Sequence, residues 1–289
     1  MAELRIHHKT VYRFRQPVSL GVHRLMLRPR ESHELRLMSH ALAITPAPVL
    51  TWSHDVFGNV VAMATFATTT DTLVIDSVAD ILLNAPPWPI FDIAASAISY
   101  PFRYSDDDWT DLGALAIEQY PDQGGRLGIW ARGFIRSNPT DTLSLLKDLS
   151  LGVAARISYQ NREVEGTQSP TQTLDRGCGS CRDFAVLFAE ATRSLGFGAR
   201  VVSGYLHNPD QDRAGSIGAG STHAWAEVYV PGAGWITFDP TNRSVGGFNL
   251  IPVAVARDIR QAMPVSGTFV GLTNAFLGMA VEVDVSVTS

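Results

Sequence analysis

Two cysteines, Cys178 and Cys181, stand three residues apart in the run DRGCGSCRDFAVLFAEATRSLGFGAR, residues 175–200. A Gly-rich turn carries both. Beyond it, Phe184, Leu187, Phe188, Ala191 and Leu195 recur at the i, i+3, i+4 spacing of a half-buried helix that Gly196 is placed to end. Cys181 therefore falls at or beside the first turn of that helix. Unpaired backbone N–H groups and the helix dipole favour a thiolate there, which is how a nucleophilic cysteine is prepared and which a structural cysteine does not need.

A thiol nucleophile needs a base and an orienting group, and both follow in the chain. The run Thr222-His223-Ala224-Trp225-Ala226-Glu227-Val228-Tyr229-Val230 reads as a strand whose period of two puts His223, Trp225, Glu227 and Tyr229 on one face. A Pro-Gly-Ala-Gly turn leads to a second strand, Trp235-Ile236-Thr237-Phe238, that ends in Asp239-Pro240-Thr241-Asn242. Pairing of the two strands as a hairpin brings Asp239 back towards His223. In this arrangement Cys181 attacks an acyl carbon, His223 takes and returns the proton, and Asp239 holds the imidazole in its useful tautomer. The Cys181 backbone N–H is a candidate oxyanion donor, with the Trp225 indole as a candidate second one. Asp183 is a candidate support for the helix start, and Asn242 for the loop after Asp239, where an Asx turn is the simpler expectation.

The runs Gly179-Ser180-Cys181-Arg182-Asp183-Phe184-Ala185, Thr222-His223-Ala224-Trp225-Ala226-Glu227-Val228 and Gly234-Trp235-Ile236-Thr237-Phe238-Asp239-Pro240-Thr241 resemble the three signatures of the transglutaminase-like superfamily core. The early motifs Tyr12-Arg13-Phe14-Arg15-Gln16-Pro17-Val18, residues 25–30 and residues 55–59 resemble the N-terminal region of bacterial transglutaminase-like proteins. Val255-Ala256-Arg257-Asp258, with Pro264-Val265, resembles the segment after their core. The resemblance implies a papain-like α+β fold, with the family's catalytic Cys, His and Asp matched by Cys181, His223 and Asp239. It also implies thiol-based acyl chemistry on amide bonds of a peptide or protein substrate, with no cofactor. Members of the family hydrolyse amides, deamidate glutamine, or join glutamine to lysine. Hydrolysis by a peptidase or amidase is the expectation here, and glutamine–lysine transfer or deamidation is the alternative.

Three other readings use the same residues. Cys178 and Cys181 form a CxxC ahead of a helix, the layout of dithiol redox proteins, with Cys178 as redox partner. Cys178, Cys181, His223 and Asp239 are also zinc-ligand types, although no metal is expected, because a structural zinc would consume the activated thiol. A transglutaminase-like domain without activity, serving as a binding module, is the third.

The expected fold class is α+β. The 289 residues suit two compact domains, and the 45% hydrophobic content with ordinary Gly and Pro numbers suits a globular protein. Residues 1–85 alternate in short β-prone runs and are expected to form an antiparallel, sandwich-like β domain, with a hairpin turn at Asp55-Val56-Phe57-Gly58-Asn59. Prolines mark residues 86–135 as linker and lead-in helices, one of them from Trp109 to Gln119. Residues 136–250 are the expected catalytic core, with its nucleophile at a helix N-terminus packed on an antiparallel sheet. Residues 251–289 are expected to form a C-terminal segment with an edge strand. Residues 158–173, with Glu163 and Glu165, read as an exposed loop, and residues 209–221 as a movable lid beside His223.

The six histidines from His7 to His54 lack ligand spacing and read as strand or surface residues, and Arg24, Arg28 and Arg30 as a strand edge or domain contact. A net charge of −5 argues against nucleic acid or an anionic membrane as partner. No apolar run approaches the roughly 18 residues of a membrane span. The absence of a signal-peptide pattern and the unstapled thiols lead us to expect a cytoplasmic protein.

Overall fold

The computed structural model describes residues 2–161, 166–207 and 222–288. Six strands fill the N-terminal third: β1 (Ala2–Leu20), β2 (His23–Leu25), β3 (Leu35–Thr45), β4 (Val49–His54), β5 (Val60–Thr65) and β6 (Thr69–Leu83). Alternation decides their faces. In β6 each second residue from Leu73 to Leu83 is buried, and the residues between them are half-exposed. β1, β6 and β3 form one antiparallel sheet, and β2, β5 and β4 a second. Phe14, Leu25, Ala62, Ala64, Leu73 and Ile75 meet between them, so the unit is a sandwich as expected.

The linker enters a two-residue ladder of β7 (Ser99–Tyr100) and β8 (Thr140–Asp141), which brackets the helices α1 (Asp106–Leu112) and α2 (Arg126–Arg132). α1 begins at the three aspartates. It stops at Leu112 rather than continuing to Gln119, because Gly113 turns to φ +44 and a short 3-10 turn follows. α3 (Thr142–Arg156) is capped by Asp141, whose carboxylate accepts from the Ser144 N–H at 2.7 Å.

The core then runs through β9 (Ser158–Tyr159), α4 (Pro170–Arg176), β10 (Cys178–Gly179), α5 (Cys181–Ser194), β11 (Ala199–Leu206), β12 (Thr222–Val230), β13 (Gly234–Asp239), β14 (Ser244–Val245) and β15 (Leu250–Ala256). The last five make one antiparallel sheet in the order β14-β13-β12-β11-β15. α5 lies on it through Phe184, Leu187, Phe188 and Ala191, which meet Ala224, Ala226 and Val228. Gly196, at φ +89, reverses the chain into β11. Residues 158–173 are not the expected exposed loop: β9 pairs in parallel with β10, α4 begins at Pro170, and Gln168 is buried. Glu163, Glu165 and the 209–221 lid expectation lie outside the described residues.

The end of the chain returns to the beginning. β16 (Val265–Ser266) extends the second sandwich sheet beside β2, while β17 (Phe269–Val270) and β18 (Phe276–Val287) both pair with β1. β18 is the expected edge strand. Among the described residues no helix is long and apolar enough to cross a membrane.

Sandwich and core share a continuous apolar cluster, with Leu4, Ile6 and Ile81 in the same set as Leu146 and Phe188. Polar clasps fix their register. Asn59, at the turn between β4 and β5, is fully buried. Its amide donates to the Val255 carbonyl at 2.7 Å and accepts from the Val255 N–H at 2.9 Å, taking the place of a neighbouring strand at the β15 edge. Asp55 and Arg30 hold that amide at 2.9 and 2.6 Å, and Arg30 is itself a domain contact, its backbone N–H donating to the Pro252 carbonyl of β15 at 2.8 Å. His8 is a strand residue, as expected, with its side chain turned into the interior. It bonds Tyr205 of β11 at 2.8 Å and Thr10 at 3.0 Å, and burial, with the charge of His7, pushes its pKa down to about 4. Asn59→Ala leaves both buried groups of Val255 without partners. The expected loss is about 2–4 kcal/mol of unfolding free energy, read by denaturant titration.

Candidate active site

The site forms where the start of α5 meets the β12–β13 hairpin. Cys181 is the first residue of α5 and is half-buried; Cys178 is also a free thiol. The turn in front of the helix is held by Asp183, which is fully buried one turn in. Its Oδ2 accepts from the Ser180 N–H at 2.8 Å and the Ser180 hydroxyl at 2.9 Å, and its Oδ1 accepts from the Gln168 N–H at 2.7 Å. Gln168 in turn donates through Nε2 to the Cys178 carbonyl at 3.0 Å. Gly179 leaves room for this carboxylate, since a Cβ there would stand 2.8 Å from the Asp183 Cβ. Asp183 is thus the helix-start support expected of it. Gln168 was missed, because a glutamine in a polar run carries no signal until the fold brings it against α5.

The hairpin does what its spacing predicts. Ala226 faces Phe238 in the β12–β13 ladder, so the chain beyond Phe238 runs back past Trp225 towards His223. The His223 Nε2 donates to Asp239 Oδ2 at 2.8 Å, with both side chains almost wholly out of water. Asp239 is further held by the Asn242 amide at 2.8 Å and by the backbone N–H groups of Thr241 at 3.0 Å and Asn242 at 3.3 Å. The Asx turn here is made by Asp239, through the Thr241 N–H, while Asn242 supports the carboxylate with its side-chain amide and backbone N–H.

Nε2 being engaged, Nδ1 is the ring atom left for Cys181, and it makes no hydrogen bond of ordinary geometry among the described residues. Cys181 lies close enough to favour the charged form of the ring. Burial works against a charge on His223, but the charge and hydrogen bond of Asp239, assisted by Cys181, outweigh it, and the pKa is pushed up to about 10. Burial also works against the Asp239 carboxylate, while the His223 charge and the bonds from His223 and Asn242 hold it below the usual carboxylate range. The pair is an imidazolium–carboxylate couple near neutrality.

Other expectations change. Trp225 is 1% exposed and packs among Val202, Leu206, Leu250 and Val255, with its ring stacked on His223 at 6.0 Å and 30°. Its ring backs the imidazole from within the core. Glu227 is paired with Arg200 at 2.6 Å. The dithiol arrangement lacks the necessary geometry. Gly179 continues β10 and Ser180 is extended at φ −86, ψ 174, so three steps of roughly 3.3 Å put the Cys178 and Cys181 α-carbons about 10 Å apart. A disulfide spans at most about 7 Å. Among the described residues no group of three His, Cys, Asp or Glu side chains is arranged around a common point for a metal.

With this geometry in place, comparison with known proteins is informative. Residues 130–240 match the transglutaminase-like superfamily, and residues 4–81 the bacterial transglutaminase-like N-terminal region. The chain belongs to the transglutaminase-like superfamily. It is 28% identical to an uncharacterized protein of Mycobacterium tuberculosis across 96% of this chain and 91% of that one. It is also 30% identical to a protein-glutamine gamma-glutamyltransferase of Pseudomonas aeruginosa, over 31% of this chain and 13% of that protein. A crystal structure from Cytophaga hutchinsonii, described as a candidate cysteine protease, shares the fold with a TM-score of 0.76 at 20% identity, covering 100% of this chain and 92% of the other. Family membership, with a thiol, an imidazole and a carboxylate in one array, supports a thiol-dependent enzyme.

The couple has a pH signature. On the imidazole side its stabilisation is complete below the ordinary value of 6.5 and is lost as pH rises through about 10. On the carboxylate side it is present above 3.8 and is lost as pH falls through the depressed Asp239 value. Asp239→Asn removes the charge that outweighs burial. The His223 ring titration, followed by NMR, is expected to move down from about 10 towards or below 6.5, with a lower melting temperature near pH 7. An unmoved midpoint would contradict the assignment.

Proposed function

We propose that this protein is a thiol-dependent acyl-transfer enzyme that cleaves amide bonds of peptides or proteins, with water resolving the acyl-enzyme. The observation that carries the reading is the His223 ring, tied through Nε2 to Asp239 and leaving Nδ1 for a cysteine at the first turn of α5. With His223 already carrying its proton on Nδ1, Cys181 attacks as the thiolate, its sulfur adding to the amide carbon and the carbonyl π pair moving onto oxygen. The pair then returns, the C–N bond breaks, and the imidazolium protonates the leaving amine. Water, deprotonated by His223, adds to the thioester carbon, and Cys181 leaves as its thiolate. The Cys181 backbone N–H, at an unpaired helix end, is one donor to the oxygen. A cytoplasmic setting belongs to the same proposal, since both cysteines are free thiols.

The second reading has an amine in place of water. The stretch shared with the Pseudomonas aeruginosa protein-glutamine gamma-glutamyltransferase favours it.

Intact-mass analysis of glutamine-containing peptides, incubated with the protein with and without a primary amine, separates the outcomes. Peptide cleavage is expected. Loss of the amide nitrogen alone indicates deamidation, and an amine adduct indicates the second reading. Cys181→Ala is expected to abolish every product while keeping the wild-type circular dichroism spectrum. Products unaffected by that substitution would overturn the nucleophile, and no product with either protein would favour the binding-module reading.

A further inference from the structure

An acyl-transfer site needs at least two donors around the oxygen that takes up charge, and the Cys181 N–H supplies one. With Trp225 turned into the core, the second must come from elsewhere. β9 runs parallel to β10, with Tyr159 opposite Gly179 and the Gln160 N–H bonded to the Gly179 carbonyl at 2.8 Å. Tyr159 is thereby fixed two residues across from Cys181. Its ring rests against Phe184, with centroids 6.4 Å apart at 60°. Phe184 lies three residues after Cys181 and so shares its face of α5. The Tyr159 ring therefore covers the face of the helix that presents the thiol.

The hydroxyl has the right state for a donor. The side chain is half-buried, and among the described residues no hydrogen bond occupies the phenol. Burial first, then the charge of Cys181, raise its pKa above the usual phenol value, against a smaller opposing effect of Arg182. The proton therefore stays on the oxygen across the neutral range.

We propose that Tyr159 is a catalytic residue, its phenolic O–H acting with the Cys181 backbone N–H to hold the oxygen of the acyl group being formed on Cys181. The role rests on the acyl-transfer reading above. When the sulfur–carbon bond forms and the carbonyl π pair moves to oxygen, the two donors meet the new charge. When the pair returns and the leaving group departs, they release it, and Tyr159 itself loses no proton.

Tyr159→Phe keeps the ring against Phe184 and removes only the donor, and two probes separate its effects. p-Nitrophenyl acetate acylates Cys181 through an oxyanion, which is read as a p-nitrophenolate burst and an acetyl mass gain. Iodoacetamide alkylates the same sulfur by displacing iodide from a saturated carbon, with no oxyanion. Acylation is expected to slow on the order of 100-fold while alkylation stays within about twofold, which also confirms an intact site. Unchanged acylation overturns the proposal. Equal slowing of both reactions also overturns it, by assigning the hydroxyl to the thiolate and not to the acyl oxygen. A wild-type Cys181 that is alkylated but never acylated overturns the acyl-transfer reading itself, before the variant is compared.

Discussion

The hydrogen bond from the His223 Nε2 to Asp239 is the constraint around which the site is organised. Two ionisable groups are held there almost without solvent, and each carries a desolvation cost that the other chiefly offsets. The backbone N–H groups of Thr241 and Asn242 and the Asn242 amide add fixed donors to the carboxylate. The imidazole is left with one defined orientation, and the ring nitrogen away from Asp239 is available to the thiol. A surface pair would be screened and mobile. Burial is what turns this contact into a definite protonation state at neutral pH.

That pair has meaning only if the start of α5 is placed just as firmly. The Asp183 carboxylate gathers Ser180 and Gln168, so the turn before Cys181 and the segment before α4 are fixed to the helix from within. Farther along the same helix, Glu190 and Arg193 form a buried pair that accepts the Gln119 and Tyr120 N–H groups and donates to the carbonyls of Leu115, Ala199 and Arg257. Both ends of α5 are therefore tied to neighbouring chain by satisfied buried charges. The sandwich contributes at a distance. Its Asn59 clasp on Val255 sets the outer edge of the sheet whose central strands carry His223 and Asp239.

Much of this was legible in order along the chain. The helical stripe from Phe184 to Leu195 and the period-two run from Thr222 to Val230 gave element type and facing. The Pro-Gly-Ala-Gly turn set the hairpin that brings Asp239 back to His223. These are local properties, in which side-chain periodicity and turn chemistry act over a few residues. Where local signals ran out, the expectations changed. Gly113 ended α1 early, and a polar run expected to be exposed buried Gln168 and supplied Tyr159. Trp225 turned out to back the imidazole, although strand period had correctly put both on one face.

The sequence by itself determined the α+β class, the sandwich, and the identity of the thiol, imidazole and carboxylate, since each stands in a motif only a few residues long. The tertiary structure decided what surrounds them: the ring nitrogen left for Cys181, the burial that raises the His223 pKa, the extended turn that keeps Cys178 from pairing with Cys181, and the phenol laid against Phe184. Those depend on contacts between segments far apart in the chain, which no local pattern encodes. The thiol at the mouth of α5 can be read from its own neighbours, while its reactivity depends on residues that only folding brings beside it.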